Sequence, residues 1–227
     1  MRGIFVTGTD TGVGKTIVSA ALVSAMAAAG ERVRAFKPVV TGLEDRSLAG
    51  QDRWPADHEL LAAAAGMPAG EVSPLLYEPA VSPHLAAMLA GAPIEPERLL
   101  AAARASAVDA TLVVEGVGGL LVALAESYSV RDLAVALGLP LVIAARPGLG
   151  TINHTLLTLE AARAVGLDVR AVVLTPWPRE PTTLERSNRE TIARLGEVAV
   201  EGLGPVLGPS PADLASAGDT LPWRRWC

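Results

Sequence analysis

The chain holds a single cysteine, Cys227, so a framework of internal disulfides is excluded, in keeping with a reducing compartment. No stretch reaches the ~20 apolar residues that a membrane span requires. After Met1 and Arg2 the first apolar run is too short for the core of a signal peptide. Basic clusters are also missing: none is longer than Arg224-Arg225, and the formal net charge is −5. Neither a nucleic-acid partner nor a membrane is expected, and the expected location is cytoplasmic. Internal repeats and low-complexity linkers are absent too. With 227 residues, half of them hydrophobic, residues 1–227 are expected to form one domain around one sizeable core.

Lysine is the scarcest informative residue. Of 19 basic residues 17 are arginine, and the only lysines are Lys15 and Lys37. A drift of composition toward arginine accounts for the 17 but not for the two exceptions. An ammonium is a compact point charge that fits among phosphate oxygens and can lose its proton; a guanidinium does neither. Both lysines are therefore candidates for chemistry before any motif is considered.

What is present alternates between strand and helix. Gly3 to Gly8 reads as a buried strand, Lys15 to Ala29 as a helix stopped by Gly30, and Val33 to Lys37 as a short strand broken by Pro38. Residues 41–56 read as a loop. Asp57 then stands before the helical run His58 to Ala65, where it can serve as a cap. Met67 to Pro96 carries six prolines and reads as loop with a short helix near His84 to Leu89. Further helices are expected at Glu97 to Ala107, Val130 to Gly138, Thr151 to Gly166 and Pro181 to Leu195. Further strands are expected at Thr111 to Gly116, Pro140 to Arg146 and Val169 to Trp177. Strands separated by helices imply right-handed crossovers, hence an α/β fold: a parallel β-sheet with helices on both faces. The Pro- and Gly-rich tail after Gly202 is left unassigned.

The strand-to-helix junction at Thr7 to Thr16 reads TGTDTGVGKT. The usual phosphate loop has four residues between its outer glycine and its Gly-Lys pair; here Gly8 and Gly14 are separated by five. The inner stretch Gly12, Val13, Gly14, Lys15, Thr16 is intact. Backbone N–H groups and the helix N-terminus can cradle phosphate oxygens. Lys15 can reach the β- and γ-phosphates, and the Thr16 hydroxyl can bind Mg²⁺. A bare glycine-rich helix cap is the plain alternative, and the strand and helix on either side weigh against it. Glu115 ends a strand, at the edge where ligands of open parallel sheets sit, and so suits Mg²⁺. Asp57 reads equally as a helix cap or a metal ligand, and Asp52 in the preceding loop competes with it. Lys37 also falls at the carboxyl end of a strand. A second cation beside one nucleotide exceeds the needs of binding and suits charge that develops in phosphoryl transfer.

Taken in order, VTGTDTGVGKT, KPVVTG (Lys37 to Gly42), SPHLAA (Ser82 to Ala87), VVEGVGGLLVAL (Val113 to Leu124) and LGTINHTLLTLEA (Leu149 to Ala161) closely resemble the dethiobiotin synthetases. The extra residue in the phosphate loop is a feature of that family. The resemblance implies a P-loop NTPase-like fold and an ATP-dependent ligase that closes the ureido ring on 7,8-diaminononanoate and CO₂, with ATP and Mg²⁺. It implies that Lys37 and Lys15 hold carbamate and phosphoryl oxygens, that Thr11 and Thr41 contact the reacting end of the substrate, and that Thr16, Asp57 and Glu115 hold Mg²⁺. Glu115, Gly116, Val117 and Gly118 would line the nucleotide. The family is a homodimer, and the backbone of Gly150, Thr151, Ile152 and Asn153 would receive the substrate's carboxylate at the interface, which suits a helix N-terminus.

Three features depart from the family. Where many members carry an Asn-Asp pair that reads adenine, this chain has Thr175, Pro176 and Trp177, so base recognition would rest on backbone carbonyls or on stacking by Trp177. Gly12 stands where glutamate is frequent. Trp223 and Trp226 match no family feature, and packing is the better reading for them. The competing class is a ParA/MinD-like dimeric switch ATPase. Such proteins carry a further lysine early in the phosphate loop, where this chain has Thr9, Asp10 and Thr11, and they need no counterpart of Lys37.

Overall fold

A computed structural model describes residues 1–43 and 54–227. Most of the loop expected at 41–56, Asp52 included, lies outside the described residues. Six strands form a parallel sheet in the order β2-β3-β1-β6-β7-β8: β1 (Gly3–Gly8), β2 (Val33–Phe36), β3 (Thr111–Gly119), β6 (Leu141–Ala145), β7 (Val169–Leu174) and β8 (Ala199–Gly202). A small antiparallel hairpin, β4 (Ala123–Ala125) with β5 (Tyr128–Ser129), stands apart. The helices are α1 (Lys15–Ala28), α2 (Asp57–Ala65), α3 (Ala69–Val72), α4 (Pro83–Leu89), α5 (Pro96–Ser106), α6 (Val130–Leu137), α7 (Thr151–Arg163), α8 (Thr183–Gly196) and α9 (Pro211–Gly218).

The strands are buried on both faces, as runs such as Gly3–Gly8 and Leu141–Ala145 require. Alternate residues of β1 serve different cores. Ile4 and Val6 join α1, α2 and α9 on one face, while Phe5 joins α4 to α8 on the other. Helix α1 is apolar nearly all round because it is covered twice, by the sheet beneath and by α2 and α9 above. No helix among the described residues is long and apolar enough to cross a membrane.

The structure fills in what the sequence left unassigned, bears out packing for Trp223 and Trp226, and corrects the cap of α2. The tail after Gly202 is ordered: α9 packs along α1, and Trp223 and Trp226 are buried in the same core. Asp57 is not the cap of α2 but its first residue. Ala56 occupies the cap position, and the Glu59 carboxylate satisfies the Ala56 N–H at 2.8 Å. That leaves the Asp57 carboxylate available for another partner.

The sheet order reverses at β1. From β1 the chain crosses to β3 and β2 on one side, and β6, β7 and β8 continue on the other. Ligands of open parallel sheets bind at such a switch point, beyond the carboxyl ends of the strands.

Candidate active site

A cavity of about 960 Å³ opens at this edge. Its floor is the loop that joins β1 to α1. Gly12 and Gly14 hold φ of 69° and 93°, a left-handed region that favours glycine. Gly14 also lies so close to Thr175 that a Cβ there would come within 2.6 Å of the threonine methyl. The loop therefore turns tightly beneath β7 and presents Thr11, Val13, Lys15 and Thr16 to the cavity.

Strand register assembles the charged centre. Phe36 pairs with Val114, so Lys37, one residue on, lies level with Glu115. Val6 pairs with Glu115 from the other side, which sets the carboxylate against the phosphate loop. Lys37 donates to Glu115 Oε1 at 2.6 Å and to Asp57 Oδ2 at 2.8 Å. Thr16 donates to Glu115 Oε1 at 2.9 Å, and Lys15 donates to the carbonyl of Asp10 at 2.8 Å. Residues from four separate segments thus meet within one hydrogen-bonded cluster.

The electrostatics distinguish the two lysines. Burial lowers the affinity of Lys15 for its proton, and the pull of Glu115 only partly offsets this. Burial acts on Lys37 in the same direction, but the flanking carboxylates of Glu115 and Asp57 outweigh it and hold the ammonium well above its ordinary range. For Asp57, burial works upward and the Lys37 charge more than reverses it. For Glu115 burial prevails despite Lys37, and its carboxyl is pushed up.

Glu115 Oε2 is fully buried and has no hydrogen-bond partner among the described residues. A buried carboxylate oxygen without a donor is costly. The Glu115 carboxylate, the Thr16 hydroxyl that bonds its other oxygen and the Asp57 carboxylate across Lys37 make a hard-oxygen donor set that fits Mg²⁺, an ion that takes few protein ligands and completes its shell with phosphates and water.

Most of the residues singled out in the sequence line this cavity: the loop from Thr11 to Thr16, Lys37, Thr41, Asp57, Glu115, Val117, Gly118, Thr175 and Pro176. Others do not. Gly116 faces the core, where a Cβ would lie 3.0 Å from Val130 and 3.2 Å from Phe5. Trp177, expected to stack on the base, does not line the cavity. Its indole lies against Gly202 of β8, 2.6 Å from where a Cβ would be, its backbone N–H donates to the Leu203 carbonyl, and Arg189 covers the ring at 5.4 Å. The ring closes the β7–β8 side of the sheet. Gly150, Thr151, Ile152 and Asn153 open α7 away from the cavity of their own chain.

Sequence reading also missed lining residues. Gly204, Pro205 and Val206 line the cavity beside Pro176, the Leu203 carbonyl accepting from the Trp177 backbone N–H. They follow β8 (Ala199–Gly202), a short strand not expected from the sequence, and open the Pro- and Gly-rich tail. Arg146 lines the cavity as well. The rule that drew attention to Glu115, a charged residue at the carboxyl end of a buried strand, applies equally to Arg146 after β6.

Comparison with known proteins agrees with this geometry. A family model described as an AAA domain matches residues 2–211. The ATP-dependent dethiobiotin synthetase BioD of Anaeromyxobacter dehalogenans (strain 2CP-C) is 44% identical over 198 residues, covering 86% of each chain. The enzyme of the same name from Mycobacterium avium (strain 104) is 40% identical over 95% of this chain and 89% of its own. That from Bacillus subtilis (strain 168) is 34% identical over 91% and 88%. Among solved structures, a ParA family ATPase from Chlorobium tepidum TLS superposes with a TM-score of 0.56 at 14% identity, covering 97% of this chain and 92% of that one. The cell division ATPase MinD of Pyrococcus furiosus gives 0.55 at 17%, covering 97% and 98%. At that identity the likeness is one of fold, and it fixes the fold as that of the P-loop NTPases. With a phosphate loop, a lysine pinned between two carboxylates, and identity of this extent along nearly the whole chain, the protein belongs to the family of ATP-dependent dethiobiotin synthetases.

Proposed function

We infer that this chain is an ATP-dependent cyclo-ligase that closes the ureido ring of dethiobiotin, a step of biotin synthesis. The observation that carries the reading is the pairing of a phosphate-loop lysine with a second, carboxylate-paired lysine in one cavity, in a chain of this family. One amine of 7,8-diaminononanoate loses a proton and bonds CO₂, giving a carbamate. A carbamate oxygen then takes the γ-phosphoryl group of ATP, and ADP leaves. The second amine attacks the resulting mixed anhydride, the carbon–oxygen bond to phosphate breaks, and the cyclic urea and phosphate are released.

Negative charge gathers on carbamate and phosphoryl oxygens throughout. Lys37 suits that site because Glu115 and Asp57 keep it protonated, and a fixed cation needs no reorganisation as charge develops. Lys15 would hold the β- and γ-phosphate oxygens, together with the backbone N–H groups of Gly12 to Thr16. Thr11 and Thr41 would contact the reacting end of the diamine. Thr16, Glu115 and Asp57 would hold Mg²⁺, which supplies neutralising charge to the triphosphate when bound. The base would lie toward Thr175, Pro176 and the segment 204–206.

The working unit would be a homodimer of single α/β domains in the cytoplasm. Within one copy the start of α7 points away from the cavity. A second copy could bring the backbone of Gly150 to Asn153 to the substrate's carboxylate, where a helix N-terminus favours negative charge. Leu149 is 90% exposed at that point, as an interface residue would be in an isolated chain. Sedimentation that finds only monomer at working concentration would remove this part of the reading.

A switch ATPase of the ParA or MinD type shares the fold and nothing more specific. The experiment that separates the two follows ADP release with each substrate omitted in turn. A ligase releases ADP only with diamine and CO₂ both present. Turnover indifferent to both would defeat the ligase reading.

A further inference from the structure

Among the described residues three cationic side chains line the cavity: Lys15, Lys37 and Arg146. Lys37 is matched by two carboxylates. Lys15 lies near Glu115 and bonds the Asp10 carbonyl. Arg146 has no ion pair among the described residues. Its guanidinium instead grips one backbone atom, the carbonyl oxygen of Gly12, through Nη2 at 3.0 Å and Nε at 3.3 Å.

The position follows from the sheet. Strand β6 runs beside β1 with Gly8 paired to Ala144, so the residue two beyond Ala144 emerges beside the loop that follows Gly8. Glycine at position 12 eases the approach. A Cβ there would stand 3.2 Å from Arg146 Nη2, on a backbone with φ of 69°. Gly12, where the family frequently has glutamate, and Arg146 thus form a matched pair: the bare backbone admits the guanidinium, and the guanidinium holds the bare backbone.

A peptide unit is planar and trans, so its carbonyl and the following N–H point in opposite directions. A fork on the Gly12 carbonyl therefore sets the direction of the Val13 N–H, on the far side of the same plane. Glycine on both sides of Val13, at positions 12 and 14, leaves this peptide with few intrinsic restraints. A loop that must aim N–H groups at phosphate oxygens gains affinity when they are aimed beforehand. We propose that Arg146 is a positioning residue of the nucleotide site, which orients the Gly12–Val13 peptide of the phosphate loop through its two-pronged bond to the Gly12 carbonyl.

The proposal rests on the nucleotide reading of the cavity but not on the ligation reaction, so binding is measured rather than turnover. Calorimetry with ATP and with ADP on the full chain compares wild type, Arg146→Ala, Arg146→Gln and Arg146→Lys. Arg146→Ala should weaken both nucleotides alike, by roughly tenfold, the scale of one charge-assisted hydrogen bond. Its melting temperature should be nearly unchanged, because the side chain is exposed. Arg146→Gln, which can still donate to the carbonyl without a charge, should recover part of the loss. Unchanged binding in the folded Arg146→Ala protein would overturn the proposal. So would a loss confined to ATP that lysine restores and glutamine does not, since that marks a direct charge contact with the γ-phosphate. If wild type binds neither nucleotide, the reading of the cavity fails first, and the two failures are distinguishable.

Discussion

Lys37 is unusual for a buried lysine. Desolvation normally drives an ammonium toward its neutral form, and in many sites this makes a lysine nucleophilic. Here two carboxylates within 2.8 Å reverse the effect and favour the charged form, so the side chain serves as a cation and not as a base. Lys15 is the opposite case, with burial dominant. Raising the pH therefore discharges Lys15 before Lys37. Substitution of Lys37 by arginine retains the charge but not its compact shape, and the fork cannot meet Glu115, Asp57 and a substrate oxygen from one point. Lys37→Arg should cost about 100-fold or more in turnover, the scale of losing one preorganised donor at an oxyanion. Steady-state kinetics of ring closure reads this, and near-normal rates would show that charge alone suffices.

At the scale of elements, the C-terminal segment proves integral to the site. Strand β8 extends the sheet and delivers Gly204 to Val206 to the cavity wall, and α9 then returns across α1, the helix that carries Lys15 and Thr16. The crossing is close at Gly218, where a Cβ would stand 2.1 Å from the carbonyl oxygen of Ala21. Backbone lies on both sides, so neither partner can yield by a change of rotamer. Gly218→Ala should destabilise the fold by roughly 1–3 kcal/mol, the usual cost of overpacking. Urea unfolding followed by the fluorescence of buried Trp223 measures it, and an unchanged midpoint would mean the two helices part freely.

The same segment bears on the base. Among Thr175, Pro176, Gly204, Pro205 and Val206 the Thr175 hydroxyl is the one polar side-chain group, no amide is present, and Trp177 is turned away to cover Gly202. A wall with so little polar readout discriminates weakly. ATP, GTP and CTP should therefore bind within about 100-fold of one another. A wider preference for ATP in competitive calorimetry would show that backbone groups at 204–206 read the base edge.

Across the whole molecule, periodicity and turn residues specify locally and tertiary packing decides the rest. Buried strand runs, glycine stops and the phosphate loop are encoded within a few residues of each other, so β1, α1, β2, β3, β6 and β7 were legible with boundaries close to those observed. Glu115 and Lys37 were legible because a charged residue at the carboxyl end of an apolar strand lies at the ligand-binding edge, and Lys15 because the phosphate loop and the scarcity of lysine single it out. The short strand Ala199–Gly202 and the tail after it were not legible, because that strand has its partner β7 only once the sheet exists, and α9 has an apolar target only once α1 is in place. Asp57 was ambiguous because a helix start serves equally as cap and as ligand. The nearby Glu59, which took over the Ala56 N–H, and the arrival of Lys37 from β2 resolved it. By itself, then, the amino-acid sequence determined the layered α/β architecture, the phosphate loop and the identity of the two lysines, since each depends on local pattern and composition. Only the tertiary structure decided that Lys37 is clamped by Glu115 and Asp57, that Arg146 holds Gly12 and that Trp177 leaves the cavity. Those outcomes depend on strand register and on which side of the sheet each segment returns, and no residue carries that information alone.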